Sequence, residues 1–156
     1  MLTSKIVKDA AFRLGADLCG IASYERFAGL PAERNPLTLA PRTRSVIVIA
    51  HRILRGALRG VEESTNFVSI YDHFGIAAPG WKYLTKTLAE LGAVVEDAGY
   101  EAVPVRAGHR PTDKSWVDYM DLAHLAGLGS VGKGGFFLTP EYGQRQRFAM
   151  LLTDAE

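Results

Sequence analysis

A single cysteine, Cys19, in 156 residues excludes an internal disulfide and leaves no thiolate set to hold an iron–sulfur cluster within the chain. Long apolar runs are missing as well; nothing reaches the roughly eighteen consecutive apolar residues of a spanning helix. The stretch from Met1 to Ala16 carries charge throughout and has no apolar signal core, so a cytoplasmic protein is expected. Excess charge of one sign is absent too. Eighteen Lys and Arg face 17 Asp and Glu, a net charge of +1, so bulk electrostatics propose neither a nucleic-acid grip nor a membrane surface. The four histidines have no metal-ligand spacing such as H-x-x-x-H, and no metal site is expected. Internal repeats and low-complexity tracts are lacking. What remains, 47% hydrophobic and 22% charged residues, suits one domain with a substantial core.

Glycine is abundant in one place. Gly127, Gly129, Gly132, Gly134 and Gly135 crowd nine positions and lead directly into Phe136-Phe137-Leu138. Glycine allows positive φ and lets a ligand approach without meeting a Cβ, so main chain rather than side chain meets something here. Gly127, Gly129 and Gly132 spell G-x-G-x-x-G, and Asp154 follows at about the distance of a ribose-binding acid. A dinucleotide loop needs a strand before the glycines and a helix after them. Here the residues from Val117 to Leu125 read as helix and Phe136 to Thr139 as strand, so the order is inverted. Gly127 to Lys133 also matches G-x-x-x-x-G-K, but Gly134 stands where Ser or Thr would hold magnesium. A glycine-rich turn that merely joins helix to strand stays open as the simpler reading.

The rest of the chain alternates helical and extended patterns. Ser4 to Leu14 has a helical apolar face and Gly15 is a plausible stop. Asp17 to Ala22 reads as a short buried strand, and Glu25 to Arg44, with Pro31, Pro36 and Pro41, as irregular chain with at most one helical turn. Ser45 to Ala50 is β-branched and apolar on both faces, hence a central strand. Ile53 to Ser64 reads as a loop or mobile flap, and Asn66 to Ala78 as a helix interrupted by Pro79-Gly80. Trp81 to Ala98 is the strongest helix, with Leu84, Leu88, Leu91 and Val95 on one side and Gly99 as its cap. Glu101 to Val105 is a further strand whose Pro104 suggests an edge. Phe136 to Thr139 and Phe148 to Thr153 look like a hairpin pair. The expected class is α+β, with helices packed on a mixed sheet of about five strands.

Several of these segments resemble a known family. Gly127-Leu128-Gly129, Gly132-Lys133, Leu138-Thr139-Pro140-Glu141-Tyr142-Gly143, Arg147 and Leu152-Thr153-Asp154 are similar to the cobalamin-binding core of the epoxyqueuosine reductases and reductive dehalogenases. Gly15-Ala16-Asp17 to Ala22 and Ser45 to His51 agree more loosely. The likeness spans nearly the whole chain and is specific over its last thirty or so residues.

The resemblance implies a nitroreductase-like domain whose glycine loop and neighbouring strands line a corrin pocket, in an oxidoreductase that depends on cobalamin. Its cofactor-binding residues would be Gly127, Gly129, Gly132, Lys133, Gly134, Tyr142 and Arg147. Lys133 or Arg147 could meet the nucleotide tail's phosphate. Lys133 is as readily a solvated loop lysine, Tyr142 an aromatic packed on the core, and Arg147 a partner of Glu141 or Asp154. Counting back from the glycines, Asp113 falls where the reductases have a proton-donating aspartate, although Thr112-Asp113-Lys114-Ser115-Trp116 departs from the family's V-D-T-x-P. Asp113 could equally cap a helix starting near Ser115. His51, His73, His109 and Arg110 are the other titratable groups that could edge a pocket. Family members continue past L-T-D into a cysteine-rich ferredoxin-like module, whereas this sequence ends at Glu156. It is therefore expected to be the cobalamin-binding part of a longer iron–sulfur protein, or to take electrons from another chain. Other partners in view are a tRNA, which the charge does not support, and a second copy in a homodimer. A non-catalytic corrinoid carrier, an interaction module and a flavin-binding reductase are the alternatives.

Overall fold

The computed structural model describes residues 1–106 and 118–156. Its frame is a four-stranded sheet, order β1-β2-β6-β3, antiparallel at every pairing. The strands are β1 (Leu18–Ser23), β2 (Ser45–Arg52), β3 (Ala102–Arg106) and β6 (Gln146–Thr153). β2 and β6 pair along their full length, from Ser45 opposite Thr153 to Arg52 opposite Gln146. Both are buried on both faces, as their unbroken apolar runs require. Among the described residues β3 pairs only with β6, and at this edge Pro104 need not donate on its free side.

One face of the sheet carries α1 (Ser4–Arg13) and α4 (Leu84–Asp97). Val7, Ala10 and Ala11 of α1 and Leu84, Leu88, Leu91 and Val95 of α4 close on Ile47, Ile49, Ala149 and Leu151. The opposite face is covered by α2 (Tyr24–Phe27), α5 (Tyr119–Leu125) and the glycine segment, with Phe27, Leu122, Ala123 and Phe137 packed on Val46, Val48, Met150 and Leu152. The α+β class of the sequence is thus the class of the fold.

Several details differ from the sequence reading. Phe137–Leu138 (β5) does not join the sheet; it pairs with Ser130–Val131 (β4) in a separate two-stranded ribbon, which leaves four strands in the main sheet. The turn after β5 is closed instead by the Thr139–Gly143 bridge, each residue donating to the other's carbonyl at 2.9 Å. Residues 25–44 hold more than one helical turn: beside α2 there are 3₁₀ turns at Ala32–Arg34 and Pro36–Thr38, gathered around buried Asn35. The Asn35 amide donates to the carbonyls of Phe27, Ala28 and Leu30 and accepts from Leu37 N–H.

Between β2 and α4 the chain coils through Arg55–Leu58 and α3 (Arg59–Glu62) into a wide, π-type helix, Val68–Tyr83. Pro79 does not interrupt it. A wider turn eases the clash between the proline ring and the preceding carbonyls, and Pro79 passes its own carbonyl to Leu84 N–H at the entry to α4.

Candidate functional site

The two ends of the glycine segment have separate local causes. α5 starts on Asp118, whose carboxylate accepts from Met120 N–H, a standard N-cap. It ends on Gly127, at φ +79°, with Gly127 N–H on His124 O and Leu128 N–H on Ala123 O. That double bond is a Schellman cap, and it needs a left-handed residue at this place. Gly129 then permits close pairing of β4 with β5, since a methyl group there would stand 2.0 Å from the Leu138 carbonyl oxygen. Gly132 and Gly135 turn the ribbon: Gly132 N–H donates to Phe136 O, and Gly135 N–H to Gly132 O.

Beyond the ribbon, Thr139 and Gln146 form a buried polar joint. Thr139 Oγ1 donates to Gln146 Oε1 and accepts from Tyr142 N–H, while Gln146 Nε2 donates to Phe137 O. The joint aims Phe136 and Phe137 at the start of β6. There an open cavity of about 380 Å³ lies between the ribbon, β6 and the wide helix. Phe148 forms its aromatic base, stacked with Tyr119 at 5.4 Å and meeting Phe137 edge-on at 5.3 Å. Ile53, Leu58, Tyr71 and Phe136 make apolar walls, and Gln144, Arg145 and Arg147 supply the polar groups. Burial first, and the neighbouring Asp118 carboxylate second, hold the Tyr119 phenol above its ordinary range, with Arg147 pulling the other way.

A second polar cluster sits on the other face of the sheet. His51 Nδ1 lies 3.6 Å from Asp17 Oδ2, and His51 Nε2 lies 3.4 Å from Thr87 Oγ1. The order resembles a carboxylate–imidazole–hydroxyl relay, but Thr87 is buried and donates its own proton to Leu14 O at 3.0 Å. It is a structural tie between α4 and the end of α1. Burial lowers the His51 pKa and outweighs the attraction of Asp17. The Asp17 charge is already shared with Arg52, whose Nε lies 3.2 Å away and whose N–H lies 2.9 Å away.

Of the residues singled out in the sequence, Arg147 lines the cavity. It donates to Gly75 O and pairs with neither Glu141 nor Asp154; Asp154 instead accepts from Glu101 N–H. Tyr142 is half-buried against the core, with the Arg52 guanidinium 5.9 Å from its ring centre. Lys133 and Gly134 are exposed at the ribbon tip. Gly127, Gly129 and Gly132 shape the ribbon without lining the cavity. His51 belongs to the opposite face, and His73 is exposed with its ring on Val68 O. Asp113, His109 and Arg110 lie outside the described residues, and the N-cap of α5 is Asp118.

Arg145, Tyr71 and Tyr119 were not singled out in the sequence. A signal existed for the first: Gln144-Arg145-Gln146-Arg147 sets two arginines two apart with no acid between them, at the mouth of an apolar strand. Nothing local marks Tyr71 or Tyr119.

No protein-family model matches the chain, and no curated protein matches it by sequence. Solved structures do match it in fold. An epoxyqueuosine reductase bound to an epoxyqueuosine-modified tRNA stem loop aligns over 96% of this chain and 44% of its own, at TM-score 0.60 and 16% identity. The epoxyqueuosine reductase of Bacillus subtilis, seen with an aspartate-bearing catalytic loop swung out of the active site, aligns over 96% of this chain and 44% of its own, at TM-score 0.63 and 17% identity. A reductive dehalogenase whose structure suggests a mechanism for B12-dependent dehalogenation aligns over 95% and 20%, at TM-score 0.69 and 20% identity. The chain therefore has the fold these enzymes share. It spans less than half the length of the first two and about a fifth of the third.

Proposed function

We propose that this chain is the corrinoid-binding domain of a cobalamin-dependent, iron–sulfur-linked reductase of the epoxyqueuosine reductase or reductive dehalogenase kind. The observation that carries the reading is a fold held in common over nearly the whole chain, with an open aromatic cavity beside the glycine ribbon.

The residues fit the group in kind. A corrin is a broad apolar disc with amide arms, and the cavity offers apolar walls beside a glutamine and two arginines. Its volume of about 380 Å³ suits one part of such a ligand. At Gly127 and Gly135 nothing stands within 4 Å of the position a Cβ would take, so bare main chain faces open space there. Among the described residues no three His, Cys, Asp or Glu side chains are grouped to hold a bare ion.

When bound, the cofactor supplies reducing power at its cobalt. The chain's part is to seat the ligand on Phe136, Tyr71 and Phe148, to anchor polar arms through Gln144, Arg145 and Arg147, and to keep a proton at hand. Asp113, six positions before Tyr119 in sequence, is the proposed acid. Burial or a neighbouring anion would have to raise its pKa for it to hold a proton near neutrality. Tyr119, a phenol protonated at neutral pH and pushed further up by burial, also lines the cavity. Electrons would come from a cluster-bearing module. Cys19 is buried, with its thiol pushed up to about 11, and cannot serve as an accessible thiolate.

Titration of the purified chain with cobalamin, following the visible bands and the melting temperature together, tests the reading. Binding should shift the bands and stabilise the native state, by about 2.7 kcal/mol at a hundredfold excess over Kd. Unmoved bands with an unmoved Tm overturn it. Absorption typical of an isoalloxazine in the purified protein would move the assignment to flavin.

A further inference from the structure

Among the described residues, Arg145 and Arg147 face the cavity without a carboxylate to answer them. Both are half-buried and both line it, and none of its lining residues is Asp or Glu. Arg34, Arg42, Arg52 and Arg59 each have a carboxylate partner, with Asp121, Glu101, Asp17 and Glu63 respectively, and Arg13, Arg26, Arg44 and Arg55 are exposed to water. Arg145 and Arg147 have none among the described residues. Among the described residues each makes one side-chain hydrogen bond, to a neutral carbonyl: Arg145 Nη1 to Ile53 O at 3.0 Å and Arg147 Nε to Gly75 O at 3.3 Å. A guanidinium carries five N–H donors in a fixed fork, so most remain unspent on both side chains.

Two like charges, two residues apart and partly withdrawn from water, are costly unless an anion joins them. The carbonyl bonds hold both forks in place before a ligand arrives, while the charge on each is left for an anion to answer. Phe136, 62% exposed, stands beside them with an aromatic face and, among the described residues, no partner ring.

We propose that Arg145 and Arg147 form an oxyanion subsite, taking a carboxylate or phosphate whose apolar body lies on Phe136 and Tyr71. The proposal rests on the reading of this cavity as the working pocket. The oxyanion belongs either to a substrate or to the phosphodiester of a cofactor's nucleotide tail; the recognition chemistry is the same.

The test uses the full chain and small probes without cobalamin. Phenyl phosphate and benzoate are titrated against benzyl alcohol and benzamide by NMR chemical-shift mapping. The anions should bind about tenfold or more tightly than the neutral probes, as charge-assisted forks do. Arg145→Gln and Arg147→Gln should each remove most of that preference while the neutral probes bind as before. Arg147→Lys, which keeps the charge and loses the fork, should retain part of it. Equal binding of charged and neutral probes, no binding of any, or a preference that survives both glutamine variants would overturn the proposal. The wild-type comparison stands even if a variant fails to fold.

Cobalamin and cobinamide, which lacks the nucleotide tail, then separate the two sources. Variants that weaken only cobalamin uptake identify the tail phosphate; variants that weaken neither, yet lose phenyl phosphate, identify a substrate. Failure of cobalamin to bind at all would leave the probe result intact, so the two proposals fall separately.

Discussion

Alanine substitutions along the glycine ribbon separate the glycines that fold it from any that meet a ligand. At Gly129 a methyl group would lie 2.0 Å from Leu138 O and 2.9 Å from its carbonyl carbon. Those are backbone atoms, so the β4–β5 ladder would have to part, at a cost of about 1–3 kcal/mol or somewhat more. At Gly127, φ +79° with open space around it, the cost is the left-handed backbone alone, roughly 1–2 kcal/mol. At Gly132 the obstacle is the tip of the Leu138 side chain, 2.7 Å away, which can rotate aside. At Gly134 the only neighbour is the Phe136 ring at 3.6 Å, an ordinary contact without positive φ, so stability should stay within about 0.5 kcal/mol of the parent. Urea unfolding of the four variants should therefore rank Gly129→Ala as the most damaging and Gly134→Ala as the least. Gly134→Ala is then a folded protein in which only close approach to the main chain has been blocked, and its cobalamin titration reads ligand contact at the ribbon tip. A Gly129→Ala variant as stable as the parent would refute the account of the ribbon, because its Cβ has nowhere to go.

Leu91→Ala, at a fully buried position of α4, should lose about 2–5 kcal/mol in the same unfolding assay. Asn35→Ala would leave three carbonyls short of their shared donor and should cost about 2 kcal/mol or more, read as a drop in Tm with loosening of residues 27–39 in hydrogen exchange. His51 has its folded pKa below the ordinary imidazole value of 6.5, so the unfolded chain takes up the proton first as pH falls. This contribution to stability is intact above about pH 7 and declines through 6.5 until the folded pKa is passed; His51→Gln should flatten that part of a stability–pH profile. Asp113→Asn should leave cobalamin uptake unchanged and lower turnover by about 10²-fold or more in a reconstituted reductase; equal turnover would remove Asp113 from the chemistry.

The frame of the fold was legible because its signals are local. Ser45 to Ala50 had to be central, as a strand apolar on both faces has no other place, and Pro104 marked its strand as an edge. Three helices end in the same way: Gly15, Gly99 and Gly127 all have positive φ, each within a Schellman cap. The first two were legible as helix stops. Gly127 carries the same signal, but four glycines follow it, and their density reads as a ligand loop. The ribbon itself was hidden because β4 and β5 have only two residues each, too short for an alternation to show. The cavity was hidden for a different reason. Tyr71, Tyr119, Phe136 and Arg147 are distant in sequence and meet only once the wide helix folds back over the start of β6. Of the chemistry, Arg147 was legible through a resemblance, whereas the want of a carboxylate partner for Arg145 among the described residues shows only in three dimensions.

The position of the ribbon is set by groups outside it. Gly20 on β1 lets the end of α5 dock on the sheet edge; a Cβ there would lie 2.6 Å from Ala126 O and 2.9 Å from the Leu128 side chain. Arg26 reaches across from α2 to donate to Leu125 O at 2.8 Å, and the His124 ring meets Gly129 O at 2.8 Å. With the Thr139–Gln146 joint at its far end, the ribbon is tied to β1, α2, α5 and β6 at once. A segment so held keeps Phe136 at the cavity without help from a ligand, and a preformed wall loses little ordering entropy when something binds against it. The glycines then act through the fold: they let four elements converge closely enough to fix an aromatic face beside two arginines that have no carboxylate partner among the described residues.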